Sequence, residues 1–149
     1  MFSIIRTTSD NLDFKNLVAL LDEDLKVTDG DEHAFYDQFN KIDAIKNVVV
    51  FYLDGIAVGC GAFKEYNATT VEIKRMFVHH DYRGKGIASK IVDELEKWAK
   101  EMNYQEAILE TGTRQFAAIA LYQRLEYLII PNYGQYENVE NSVCMRKVL

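Results

Sequence analysis

A mixed α/β fold, with a largely antiparallel central sheet flanked by helices, is what this sequence predicts. Three observations carry that expectation. Two apolar, strand-like runs flank Asp54-Gly55, a pair that tolerates positive φ at both positions and so signals a tight hairpin. A β-branched run, Val71 to Val78, leads through a glycine-bearing turn into a long amphipathic stretch and then a further apolar run at residues 105–110. That order is a strand–helix–strand unit, which closes through a right-handed crossover. Finally, one more helical stretch is followed by two short apolar runs that complete the sheet.

The elements follow in order. Residues 3–7 read as a short strand. Ser9 or Asp10 can cap a helix whose apolar face is Phe14, Leu17, Val18, Leu21 and Leu25, and Thr28-Asp29-Gly30-Asp31 ends it. A shorter helix is expected over residues 32–41. Strands at 47–53, 56–65 and 70–78 form a three-stranded antiparallel meander. The next helix sets Ile87, Ile91, Leu95, Trp98 and Met102 on one face. The strand at 105–110 should run parallel to 70–78. A helix at 115–125, strands at 127–130 and 142–148, and an intervening loop with Asn132-Tyr133-Gly134-Gln135-Tyr136 complete the chain.

At 149 residues the chain is expected to be one domain, residues 1–149, long enough for a real core. Hydrophobic residues make up 48%, with eight Phe and nine Tyr, which excludes a disordered chain. The net charge of −6 argues against nucleic-acid partners and anionic membranes. No apolar run approaches the ~20 residues that span a bilayer, and the N-terminus lacks the pattern of a signal peptide. Cys60 and Cys144 fall in expected strands and read as buried free thiols, which points to the cytoplasm.

The turn Arg83-Gly84-Lys85-Gly86-Ile87-Ala88, opening the long helix, is the most informative stretch. Glycines at a strand-to-helix junction let backbone N–H groups approach a ligand, and the helix N-terminus adds partial positive charge. With Arg83 and Lys85 beside them, these groups make a site for a phosphate or pyrophosphate. A Walker-type loop is excluded by spacing. A dinucleotide fingerprint fails at its third glycine, where Ser89 stands, although Glu106 and Glu110 lie where a ribose-binding carboxylate would be expected. The pattern that fits is [Q/R]-x-x-G-x-[G/A], read as Arg83, Gly86 and Ala88.

That pattern resembles the acetyl-coenzyme A loop of the GNAT superfamily of N-acetyltransferases, and the element order resembles the GNAT fold over nearly the whole chain. Two blocks carry the likeness: Val71-Glu72-Ile73-Lys74-Arg75-Met76-Phe77-Val78 running into the loop, and Ala118-Ile119-Ala120-Leu121-Tyr122, similar to the family's A-I-x-L-Y segment. There are departures. The asparagine often found just before that segment is absent, with Gln115 nearby. Glu126 stands where the family has a glycine, and a distorted helix end is the expected consequence.

The resemblance implies a set of roles. Acetyl-CoA would lie along Met76, Phe77, Val78, Arg83, Gly84, Lys85, Gly86, Ile87, Ala88 and Ser89, with the thioester carbonyl held by backbone N–H groups at a bulge near Met76-Phe77-Val78. Tyr122 is expected to protonate the departing thiolate, in preference to its reading as a core aromatic. Glu72 is the candidate base, against its reading as a strand carboxylate paired with Lys74. Glu110 and Tyr133 are expected to bind the acceptor amine. In the family the first two helices wall the acceptor site, so the acids Asp22, Glu23, Asp24, Asp29, Asp31 and Glu32 would attract a cationic amine, or else simply form a solvated face. His79, His80 and Asp81 are read as polar turn residues, and no metal is expected, since neighbouring residues rarely converge on one ion.

Three functions follow in order of preference. The first is an acetyl-CoA-dependent N-acetyltransferase acting on a primary amine, a small molecule rather than a protein, by direct attack in a ternary complex. The second is a non-catalytic acyl-CoA-binding sensor module, and the third a nucleotide-dependent oxidoreductase. Family members are commonly dimers, so a homodimer is an expected assembly.

Overall fold

A computed structural model describes residues 1–29 and 44–149. Seven strands form one sheet: β1 (Phe2–Thr7), β2 (Asn47–Leu53), β3 (Ile56–Asn67), β4 (Thr70–Val78), β5 (Glu106–Gly112), β6 (Leu128–Ile130) and β7 (Ser142–Val148). The helices among the described residues are α1 (Leu12–Asp29), α2 (Ile87–Glu101) and α3 (Phe116–Arg124). Strand order is β1-β2-β3-β4-β5-β7-β6. Every pairing is antiparallel except β4–β5, the pair joined across α2. The helix expected at residues 32–41 lies outside the described residues.

The continuous apolar run of β2 is explained by burial on both faces. Val48 and Val50 pack with Phe14, Leu17 and Val18 of α1. Val49 and Phe51 pack with Ile91 and Leu95 of α2 on the other side. The Asp54-Gly55 turn has φ of 50° and 82°, as its hairpin signature requires. On β3, Gly59 and Gly61 turn no side chain toward α2, so Ile91 and Leu95 settle against strand backbone. Arg6 fastens β1 to α2 by bonds to Glu94 (2.7 Å) and Glu101 (2.7 and 2.9 Å), with its guanidinium 5.1 Å from the Trp98 ring centre.

Three expectations need correction. The cap of α1 is Asn11, whose Oδ1 accepts the Phe14 N–H at 2.9 Å. Ser9 is buried instead against Ile45, exchanging bonds of 2.9 and 3.0 Å with its backbone. Met102 lies beyond the last turn of α2 and is 44% exposed, while Val92 and Ala99 take the buried face. Glu126 does not distort the end of α3. It adopts φ 75°, the Tyr127 N–H reaches the Tyr122 carbonyl (2.9 Å), and the Glu126 N–H reaches that of Gln123 (3.1 Å). This is a complete Schellman cap with glutamate at the left-handed position. No helix among the described residues is long and apolar enough to cross a membrane.

Candidate active site

The site begins with an irregularity in β4. Its register against β3 slips between Cys60 and Ala62, so Arg75 and Met76 together face Gly61, and Arg75 takes φ 60°. A bulge of this kind flips the side-chain phase beyond it. Before it, Val71 and Ile73 face α2 and Lys74 lies over Ala62 on the α1 side. After it, Phe77 has moved to the α1 side and Val78 to the α2 side. β4 also parts company with β5, pairing only at Thr70, Val71 and Glu72. The strands splay from there, and the wedge between them opens into two clefts.

The larger cleft, about 590 Å³, runs from the wedge to the glycine turn. Met76, Phe77, Val78, Arg83, Gly84, Gly86, Ile87, Ala88 and Ser89 all line it, as does Tyr122. Gly84 and Gly86 have φ of 80° and 77°, conformations open to glycine at little cost. Gly86 caps α2 without any side-chain bond, so no side chain competes for the first N–H groups of the helix. Arg83 is held by the Val78 carbonyl (2.8 Å) and by Asp24 of α1 (2.9 Å). Lys85 does not line the cleft; its ammonium sits 5.6 Å from the Tyr82 ring centre.

The smaller cavity, about 150 Å³, lies on the α1 side of the wedge. Its charged lining is Glu72, Lys74, Arg75 and Glu110. Glu72 is 4% exposed, and its Oε2 accepts the Tyr133 hydroxyl at 2.7 Å while Oε1 lies 3.6 Å from Lys74 Nζ. Burial, and then the neighbouring Glu72 charge, drive the Tyr133 phenol far above its ordinary range. Burial pulls the Lys74 ammonium below its usual value, against the opposing pull of Glu72. Arg75 meets Asp22 of α1 at 3.3 Å.

Both cavities share Met76, Gln115, Ala118 and Tyr122, along with Leu21 and Leu25 of α1. Tyr122 is 5% exposed, and burial alone raises its phenol well above the ordinary tyrosine value. Its ring packs edge-on against Tyr127 at 5.7 Å, and Tyr127 is tied to Glu96 at 2.8 Å. Residues expected at the site are thus largely brought together. Tyr133 stands behind Glu72 as its hydrogen-bond donor, and Tyr136 of the same loop lines the cavity in its place.

Lys74 and Arg75 were not expected as site residues. Alternation along β4 could have indicated Lys74, since it follows Glu72 by two. The bulge expected by resemblance near Met76-Phe77-Val78 falls at Arg75-Met76, and that placement turns Arg75 inward. Of the acids expected to form a charged rim, Asp22 is tied to Arg75, Asp24 to Arg83 and Glu23 to Lys26, while Asp31 and Glu32 lie outside the described residues. The histidine turn does converge. Ligand atoms of His79, His80 and Asp81 lie within 4.8 Å, but His79 Nδ1 already accepts the Asp81 N–H at 3.2 Å.

Known proteins resemble this chain in sequence and fold. The family model described as the acetyltransferase (GNAT) family matches residues 14–127. An IAA acetyltransferase of Azospirillum brasilense is 33% identical over 96 residues, covering 64% of this chain and 63% of the relative. Human N-acetylaspartate synthetase is 37% identical over 79 residues, covering 52% of this chain and 26% of that protein. The chain thus spans less than two thirds of these relatives. A crystal structure from Klebsiella pneumoniae, assigned as an acyl-CoA N-acyltransferase, superposes with a TM-score of 0.83 at 27% identity, covering 100% of this chain and 98% of the other. PaiA N-acetyltransferase of Thermoplasma acidophilum, solved with coenzyme A, shares the fold at a TM-score of 0.74 and 16% identity, covering 100% of this chain and 99% of the other.

Proposed function

The chain belongs to the GNAT acetyltransferase family, and from that premise we propose that it moves an acetyl group from acetyl-CoA to a primary amine of a small molecule, by direct attack in a ternary complex. One observation carries the reading: a long cleft ending on an uncapped helix N-terminus meets a small charged cavity at Tyr122 and the β4 bulge. One cleft has the lining a pyrophosphate-bearing chain needs, and the other has carboxylates for an amine.

The roles follow from position. The N–H groups that open α2, with Arg83, hold the pyrophosphate. Backbone N–H groups freed at Arg75-Met76 are suited to polarising a carbonyl in the wedge. Acetyl-CoA supplies the activated acetyl group. Glu72, directly or through water, takes a proton from the amine as its nitrogen bonds to the acetyl carbon. Tyr122, kept in its phenol form by burial, donates to the sulfur as the C–S bond breaks. The proton lost by nitrogen balances the proton gained by sulfur. Cys60 and Cys144 line neither cavity, and burial pushes their thiols up to about 12 and about 11, which disfavours an acyl-cysteine intermediate. Two buried free thiols also suit a reducing compartment, and we assign the protein to the cytoplasm.

Calorimetric titration with acetyl-CoA and with NAD(H) tests the premise, using Arg83→Ala/Lys85→Ala as control. Binding of acetyl-CoA alone, weakened in the variant, together with thiol release in the presence of amines, is the expected result. Binding without transfer to any amine would leave a sensor module. Binding of neither ligand by folded protein would remove the proposal.

A further inference from the structure

Resting on the acetyltransferase reading, we propose that the acceptor bears a carboxylate close to the amine that is acetylated, an α-amino acid being the simplest case, and that Lys74 binds that carboxylate. Lys74 and Glu72 sit two residues apart on β4, before the bulge, so one face of one strand presents an ammonium and a carboxylate to the same cavity.

Lys74 is deeply set for an ammonium, with its side chain 9% exposed. Its ion partner among the described residues is Glu72 Oε1 at 3.6 Å, beyond the 2.7–3.2 Å of a direct hydrogen bond. The other Glu72 oxygen is occupied by the Tyr133 hydroxyl at 2.7 Å. A lysine ammonium has three N–H donors in need of oxygen acceptors, and buried charges are stable only when paired and hydrogen-bonded. A carboxylate entering this cavity would bring oxygens to the Lys74 ammonium at hydrogen-bonding distance, nearer than Glu72 Oε1.

The opposite choice is electrostatically poor. A polyamine or protein lysine would bring a cation without an anion of its own into a small cavity where Lys74 and Arg75 already balance Glu72 and Glu110. A zwitterion leaves the cavity's net charge unchanged. Its amine would face Glu72 and Glu110, and its carboxylate would face Lys74. Lys74 is therefore a specificity residue, not a proton carrier.

Steady-state thiol release with saturating acetyl-CoA tests this on the full chain. Each standard α-amino acid is compared with its carboxamide, in wild type, Lys74→Met and Lys74→Arg. The expected wild-type preference for the acid over the amide is roughly 10- to 100-fold in kcat/KM, the value of a charge-assisted hydrogen bond. Lys74→Met should bring that ratio near one by raising KM for the acid, Lys74→Arg should restore part of it, and acetyl-CoA affinity should be unchanged. Equal use of acids and amides by wild type, or preferred acetylation of a polyamine or peptide lysine, would overturn the proposal. So would a fall in kcat on acids and amides alike in Lys74→Met, which would make Lys74 the base. Absence of transfer to any amine, with acetyl-CoA still bound, would overturn the acetyltransferase reading as well.

Discussion

The Tyr133 hydroxyl, on the loop between β6 and β7, donates to Glu72 Oε2 across the mouth of the β4–β5 wedge at 2.7 Å. These residues are 61 positions apart in sequence. The bond fixes the carboxylate's direction while Lys74 lies by its other oxygen. Removing the donor alone, in Tyr133→Phe, leaves one Glu72 oxygen without its protein donor in a buried site. We expect KM for the acceptor to rise several-fold while kcat changes less, and Glu72→Gln to lose roughly 10²-fold in kcat/KM. Steady-state kinetics on a responsive amine checks both, and an unaltered Glu72→Gln enzyme would exclude Glu72 as the base.

Tyr122 stands where the two cavities meet, and its hydroxyl is the only part that Tyr122→Phe removes. Turnover should fall by roughly 10²-fold or more, with the acetyl-CoA dissociation constant within about twofold of wild type. Parallel calorimetry and initial-rate measurements separate the two. Loss of binding with no specific loss of turnover would make Tyr122 a packing residue.

Gly61 is a packing constraint rather than a turn. A Cβ there would meet the Met76 sulfur and lie 2.9 Å from Ile91 and 3.0 Å from Leu95. Gly61→Ala should therefore destabilise the fold by about 1–3 kcal/mol, with α2 pushed off the sheet. Urea unfolding monitored at Trp98 reports it, and an unchanged midpoint would mean the contact relaxes freely.

Glu126 occupies a left-handed cap position that glycine fills without steric cost. Glu126→Gly should stabilise by about 0.5–1 kcal/mol, the relief of a left-handed residue less glycine's greater unfolded-state entropy. Thermal unfolding of the pair gives the sign directly.

The buried thiols supply a pH prediction. Cys60 is raised from 9.0 to about 12, and Cys144 to about 11, chiefly by burial. Because folding raises both values, their contribution to stability is complete below pH 9 and is lost as pH rises through 11 to 12. At pH 8 the thiolate population of Cys144 is roughly 10²-fold below that of a free cysteine, and that of Cys60 lower still. Alkylation by iodoacetamide at pH 8 should be slower than that of a free thiol by at least that factor, and should become fast in urea. Rapid modification of the native protein would show that the thiols are accessible.

Strand and helix positions were largely legible because the determinants are local. The Asp54-Gly55 pair, the period of Phe14, Leu17 and Val18, and the glycines at 84 and 86 act through neighbouring backbone. Glu72 and Tyr122, which line the cavities, were singled out by resemblance and not by periodicity, since a buried strand carboxylate and a core tyrosine look ordinary in isolation.

What the sequence determined alone was the order of the described elements, the hairpin and the glycine turn that opens α2, each written within a few residues. What only the tertiary structure decided was the small charged cavity on the α1 side of the wedge. The bulge at Arg75-Met76 depends on pairing with Gly61, the wedge on where β4 leaves β5, and the Tyr133–Glu72 bond on a loop brought back across the sheet. The inward turn of Arg75 has the same origin: strand register sets which face a charge occupies, and register is a property of pairs of strands rather than of either one.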